Sequence, residues 1–121
     1  MNNKFSPNIQ NEIECIIDKI QSWKDLFDIQ LEFYNDGWAI FLKERSIYPR
    51  SIVIFKCYKK NLYSIKSFEV LLQNFKKEEL HELYSVEDIK NQKELIKELK
   101  EIIYGKDLGN RILKMCDDTF S

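Results

Sequence analysis

The chain has 121 residues, of which 44% are hydrophobic and 32% charged, and its formal net charge is −1 at pH 7. This length and composition predict a single globular domain, 1–121, with enough apolar side chains for its own core, and they exclude a disordered chain. The near-neutral charge is unlike that of a typical nucleic-acid-binding domain, which is strongly basic, and unlike that of an acidic DNA mimic.

The N-terminal segment and the cysteines indicate the cellular compartment. Residues 1–7 contain no apolar stretch of the kind found in a secretory signal, and the longest apolar runs, 38–42 and 52–55, are far shorter than the ~20 residues of a membrane helix. The three cysteines are widely spaced and form no C-x-x-C pattern. We therefore expect a cytoplasmic protein with reduced thiols and no membrane contact. The many Ile, Lys and Asn residues are typical of bacterial or phage genes rich in A and T.

The first predicted element is an amphipathic helix over about residues 7–25. Ser6-Pro7 is typical of a helix start, with serine as the N-cap and proline at the first helical position. Apolar residues then recur at helical spacing; they are Ile9, Ile13, Ile16, Ile17, Ile20 and Phe27.

A β-hairpin is predicted next, because apolar and polar residues alternate over 29–34 and again over 38–43. A two-residue turn at 36–37 (Asp-Gly) would supply the positive φ angles of a type I′ turn. In that register Phe33 pairs with Ile40. One face of the hairpin is apolar and would lie under the helices. The opposite face is mixed and is a candidate binding surface; it would show Gln30, Glu32, Tyr34, Phe41, Lys43, Lys56 and Tyr58.

The remaining elements are a third strand over 51–58 and a short fourth strand over 62–65, reached through a turn at Lys60-Asn61. Apolar spacing then predicts helices: one capped by Ser67, a short turn at 80–84, a long helix over 86–104 that ends at Gly105, and a last helix over 107–117. We therefore expect an α+β fold, with a small antiparallel sheet of three or four strands and with the N-terminal helix and the C-terminal helices packed on one face.

Patterns typical of catalysis are absent from the sequence. There is no phosphate-binding loop, no dinucleotide fingerprint, no nucleophile elbow and no zinc-protease motif. His81 is the only histidine and lies among charged residues, and no cysteine stands at metal-ligand spacing from it. We therefore expect no metal, no cofactor and no enzymatic activity. A site assembled from distant residues around His81 or Cys57 is an alternative.

Charge is distributed unevenly along the chain. Residues 1–40 have 3 basic and 7 acidic side chains, residues 41–66 have 7 basic and 1 acidic, and residues 67–121 have 9 basic and 12 acidic. The middle segment combines cations with tyrosine rings, which suits contact with a charged partner. The candidate partner-binding residues are Lys43, Arg45, Tyr48, Arg50, Lys56, Tyr58, Lys59, Lys60 and Tyr63. The same residues would also serve to protect the edge of the sheet against aggregation.

Patches of both signs on a small domain favour a protein partner, since complementary potentials steer association. We expect a non-catalytic protein-binding module, most concretely an immunity protein or antitoxin-like inhibitor that neutralises a toxin or enzyme by tight binding. A homodimer is compatible with the same surface. The alternative is a nucleic-acid-binding module that uses the basic aromatic segment 43–66.

Overall fold

A computed structural model describes residues 7–46, 50–73 and 77–111. Its elements are α1 (Pro7–Ile20), β1 (Phe27–Tyr34), β2 (Gly37–Glu44), β3 (Arg50–Cys57), β4 (Leu62–Gln73), β5 (Lys77–Ile89) and α2 (Gln92–Ile103), with 3₁₀ turns at Gln21–Trp23 and Leu108–Asn110. The strands form one antiparallel sheet in the order β1-β2-β3-β4-β5. The α+β class is confirmed, and the sheet has five strands instead of three or four.

The largest error of the sequence prediction concerns residues 66–73 and 77–89, where strands replace the predicted helices. The predicted short strand over 62–65 extends to Gln73, and the whole of Lys77–Ile89 is a second long strand. The apolar residues after Ser67 have helical spacing, but β4 pairs with β3 on one side and with β5 on the other. Pairing on both sides of a strand outweighs intrinsic helix preference, which is a weak determinant.

The helices are shorter than predicted. α1 ends at Ile20 and continues as a 3₁₀ turn to Trp23. α2 begins at Gln92 instead of 86, because the side chain of Asn91 accepts a hydrogen bond of 2.8 Å from the backbone N–H of Glu94 and so caps the helix. The predicted stop at Gly105 is confirmed, since its φ of 115° is open to glycine and strained for other residues.

Two further predictions concern the chain ends. The Ser6 cap lies outside the described residues, as does most of the predicted helix over 107–117. The described part of that segment contains only the 3₁₀ turn Leu108–Asn110.

The hairpin of β1 and β2 is confirmed, but its predicted turn is wrong by one residue. Leu31 pairs with Ile40 and Tyr34 pairs with Gly37, so residues 35–36 form the turn. Neither turn residue has a positive φ. Gly37 is required for another reason: a Cβ atom there would lie 2.1 Å from the backbone oxygen of Lys56 on β3. The register shifts by two residues, which leaves each side chain on its predicted face.

The core lies on one side of the sheet, between the strands and both helices. Residues from α1, α2 and one sheet face form a single buried cluster; its fully buried members include Ile16, Ile20, Ile40, Leu42, Ile52, Ile54, Ile65, Leu95, Leu99 and Ile102. Hydrogen bonds also join β4 to α1, from Tyr63 to Glu12, and β3 to α2, from Arg50 to Ile102. The opposite side, which we call the open face, carries Ala39, Phe41, Val53 and Phe55 on the central strands.

Candidate functional site

The predicted site residues do not form one basic surface. Five of the seven cations in segment 43–66 lie between 2.5 and 3.8 Å from a carboxylate of the same chain; they are Arg45, Arg50, Lys56, Lys60 and Lys66. Lys43 and Lys59 are exposed and make no ion pair with any residue that the structure describes. Tyr48 lies outside the described residues. Arg50 and Lys56 are therefore enclosed within the fold, whereas Arg45, Lys60 and Lys66 form ion pairs whose side chains are still partly exposed.

Arg50 is buried, with only 2% of its surface exposed. Its guanidinium group donates hydrogen bonds to Asp107 at 2.6 Å and to Glu44 at 3.2 Å. It also donates to the backbone oxygens of Ile102 and Ile103, at 2.7 and 3.2 Å. These carbonyls belong to the last turn of α2, and that of Ile102 also accepts a hydrogen bond of 2.9 Å from the backbone N–H of Gly105. Arg50 therefore fixes the C-terminal end of α2 to the sheet, and it is not presented to a partner.

A second buried carboxylate extends this cluster toward β5. Glu69 is 1% exposed. Its carboxylate lies 3.4 Å from the Nε of Arg111 and 4.0 Å from the Nε2 of His81. We call Glu44, Arg50, Glu69, Asp107 and Arg111 the Arg50 cluster. The only histidine of the chain thus lies beside a structural ion cluster.

The geometry does not support a Cys–His dyad of His81 with Cys57. Cys57 pairs with Leu62 and His81 pairs with Glu69, so the two are seven residues apart along β4. At about 3.3 Å per residue this separation is about 23 Å. Cys57 also faces the open side of the sheet, whereas His81 faces the helices. Cys15 and Cys57 are free, and Cys15 is exposed instead of buried in the core. Within the described residues no group of His, Cys, Asp or Glu could hold a metal ion.

The opposite end of the helix layer contains a different polar cluster, built around Glu12 of α1. One oxygen of Glu12 accepts hydrogen bonds from the Nζ of Lys56, at 2.5 Å, and from the hydroxyl of Tyr63. The Lys56 ammonium also lies 4.7 Å from the centre of the Tyr63 ring. Burial, followed by the hydrogen bond to Glu12, raises the pKa of Tyr63 well above its usual range. We call these three residues the Lys56 cluster.

A cleft of about 440 Å³ borders the Lys56 cluster. We call it the end cleft; its lining includes Glu12, Trp38, Lys56, Tyr58, Asn61 and Gln92. The indole Nε1 of Trp38 and the hydroxyl of Tyr58 are buried and have no hydrogen-bond partner among the residues that the structure describes. Burial and the nearby Asp36 carboxylate raise the pKa of Tyr58. Lys56 and Tyr58 thus lie on the helix side of the sheet, and the sequence prediction that placed them on the opposite face is wrong.

The open face is the second candidate surface. Phe41, Val53 and Phe55 are only partly buried there, although they lie on central strands. A depression of about 360 Å³ has Gly37 and Ala39 as its floor, and rings form its walls; the wall residues include Tyr34, Phe41 and Phe55. Tyr34 and Phe41 were predicted for this face from the alternation in the hairpin. The depression itself depends on β3, which local sequence does not place beside β2.

Comparisons with protein-family models, with curated proteins and with solved structures find no match to this chain. Its function is therefore inferred from the end cleft, the open face and the charges around them. In the part of the chain that the structure describes, no helix has the length and apolar character needed to cross a membrane.

Proposed function

We propose that this protein is a non-catalytic protein-binding module that uses the open face of the sheet. Its most concrete form is an inhibitor of the immunity-protein or antitoxin type, which neutralises a partner by covering it. The observation that carries this proposal is the row of partly buried apolar side chains on β2 and β3, on the side of the sheet away from both helices. A row of partly exposed apolar side chains on one sheet face is compatible with a protein interface.

The depression on the open face has the features of an anchor site. Its floor is made of small residues, Gly37 and Ala39, and aromatic rings stand around it. Binding energy in protein interfaces concentrates where one side chain fills such a pocket and water is excluded. The depression would therefore receive an apolar side chain of the partner.

Charges beside the depression favour a partner with basic residues around that side chain. Glu32 and Asp36 lie on β1 and in the following turn, and neither forms an ion pair with a cation among the described residues. Glu32 accepts a hydrogen bond of 2.7 Å from the neutral side chain of Gln30. Unpaired carboxylates at the rim of an interface increase the association rate with a basic partner and set its orientation.

The structure gives less support to nucleic-acid binding than the sequence alone does. Affinity for nucleic acid depends on cations that neutralise phosphates. Five of the cations in segment 43–66 are already paired within the chain. The aromatic rings of the open face have the carboxylates of Glu32 and Asp36 beside them, which repel a phosphate backbone, and Lys43 is the one cation of segment 43–66 on this face that has no ion pair among the described residues.

Affinity capture with matched variants tests the proposal. The tagged protein, Phe55→Asp and the control Lys59→Asp are each incubated with native lysate, after circular dichroism and thermal unfolding have shown that all three are folded. We expect the parent and Lys59→Asp to retain the same protein. Phe55→Asp is expected to bind it at least about 30-fold more weakly, which corresponds to one interface hot spot.

A second step distinguishes an inhibitor from a simple binding protein. The retained protein is purified, and its own activity is measured with and without the parent chain. We expect inhibition by the parent and by Lys59→Asp, and none by Phe55→Asp at the same concentration. Equal retention by all three proteins, or salt-sensitive retention of nucleic acid alone, would contradict the proposal.

A further inference from the structure

Two buried polar atoms beside the end cleft lack the hydrogen bonds that such atoms normally make. Trp38 is 1% exposed, and its indole Nε1 has no hydrogen-bond partner within residues 7–46, 50–73 and 77–111. The hydroxyl of Tyr58, which lines the same cleft, has none either. Unpaired buried polar atoms are rare in folded proteins because they lose water without replacing it. Both groups can donate a hydrogen bond, so the missing partner is an acceptor.

The local charge favours an acceptor that is anionic. Glu12 is the carboxylate of the lining, and its charge is balanced by Lys56 at 2.5 Å. Gln92, at the first position of α2, also lines the cleft. The N-terminus of this 12-residue helix adds positive potential at the same place. Within the lining the sum of these charges is positive, and the Asp36 carboxylate near Tyr58 and Glu94 in the first turn of α2 act against it. The amide groups of Asn61 and Gln92 supply further donors.

The size and walls of the cleft suit a small molecule. Its volume of about 440 Å³ lies within the range of ligand-binding pockets. The rings of Trp38 and Tyr58 offer flat apolar surface next to the two unpaired donors. We infer that the end cleft binds a small molecule with an anionic oxygen group, a carboxylate or a phosphate, on an apolar or aromatic body. The end cleft lies on the helix side of the sheet and the depression of the open face on the other side, although Trp38 and Lys56 border both. The inference does not depend on the proposed function.

Tryptophan indole resonances offer a direct test. The ¹⁵N-labelled full chain has two indole N–H signals, one from Trp38 and one from Trp23, and a Trp23→Phe variant assigns them. Trp23 follows the far end of α1, about 20 Å from the cleft by the length of the helix. Three probes are titrated: sodium benzoate, phenyl phosphate and neutral benzamide. We expect a saturable shift of the Trp38 signal with at least one anion, an unchanged Trp23 signal, and at least about tenfold weaker binding of benzamide.

Two variants and their control locate the binding. Lys56→Met removes the ammonium and is compared with Lys59→Met, which removes an exposed ammonium in the turn before β4. Tyr58→Phe removes a single hydroxyl, so it is the safer change if Lys56→Met perturbs the fold. We expect Lys56→Met and Tyr58→Phe to weaken anion binding about tenfold and severalfold, and Lys59→Met to leave it unchanged.

Several outcomes would overturn the inference. No saturable shift of the Trp38 signal with either anion would show that the cleft holds only water. If neutral benzamide binds as tightly as benzoate and phenyl phosphate, the cleft does not select an anionic group. Equal affinities of Lys56→Met, Tyr58→Phe and Lys59→Met would place any binding elsewhere. A larger shift with benzoate than with phenyl phosphate, or the reverse, identifies which oxyanion the site prefers.

Discussion

The two ends of the helix layer both contain a cation from the middle of the chain, but they satisfy it differently. At one end the Arg50 guanidinium donates to two carboxylates and two backbone carbonyls, and it is 2% exposed. At the other end Lys56 pairs with the single carboxylate of Glu12, beside an open cleft. Each end keeps unpaired buried atoms, including Arg50 Nε and Trp38 Nε1, but those of the second end border a cleft that a ligand could enter.

The position of a cation in the sequence therefore does not show whether it stabilises the fold or borders a binding site. Arg50 and Lys56 are six residues apart on the same strand and the same face. Arginine presents a planar fork of donors that matches carbonyls and carboxylates at a closed helix end. Lysine is a single point charge, and Lys56 pairs with one carboxylate at the border of an open cleft. We therefore assign Arg50 to the fold and Lys56 to a site.

The largest expected effect on stability comes from replacing Arg50 or Lys56 with methionine, which removes the charge and changes the side-chain volume little. Arg50→Met is expected to lower the free energy of unfolding by about 3–5 kcal/mol, because fully buried Asp107 would lose its counterion. Lys56→Met is expected to cost about 1 kcal/mol, since Glu12 keeps the Tyr63 hydrogen bond and some contact with water. Urea denaturation of both variants measures the difference. Equal losses would break the distinction between the two ends.

Changes at the two termini of α2 have smaller expected effects. Asn91→Ala removes the N-terminal cap and is expected to cost about 1 kcal/mol. Gly105→Ala is expected to cost about 1–2 kcal/mol, because its φ of 115° strains any residue with a Cβ atom. The control is Gly109→Ala, where a Cβ atom would meet no atom within 4 Å and φ is not positive. Thermal unfolding measures all three, and a Gly109→Ala loss as large as that of Gly105→Ala would contradict the backbone argument.

The smallest expected effect is a pH dependence at the Lys56 cluster. The pKa of Tyr63 is raised in the folded protein, so the folded state keeps this proton after unfolded chains begin to lose it above about pH 10. The stabilisation is therefore fully present below about pH 10 and decreases as the pH rises further. Melting temperatures of the parent and of Tyr63→Phe, measured from pH 8 to alkaline pH, should converge, with Tyr104→Phe as the exposed control. A difference that stays constant with pH would show that burial and the hydrogen bond to Glu12 do not raise the pKa of Tyr63.

Local patterns predicted the first half of the chain well. The amphipathic pattern of α1, the alternation in β1 and β2, and the third strand are all present with small changes in their ends. Each depends on residues close together in sequence. The end of the helix at Gly105 was also predicted correctly, because a single residue and its backbone angle decide where a helix ends.

The same reasoning failed for β4 and β5. Their apolar residues fit a helix as well as a strand, and many of the other residues favour helices. Strand pairing decides the outcome: Leu62–Glu69 of β4 pair with β3, β4 also pairs with β5 as far as Gln73, and β5 pairs with β4 alone. This information comes from neighbouring strands and is not present in the segment itself.

For the candidate sites, too, some features follow from the sequence and others only from the tertiary structure. Sequence alone determined the composition, the amphipathic elements and a middle segment rich in cations and rings, because these properties belong to single residues or near neighbours. Only the tertiary structure decided that Arg50 is buried, that most of the other cations are paired, and that Lys56 meets Glu12, 44 residues away. Charge pairing and burial depend on distances in space, and a chain must fold before those distances exist.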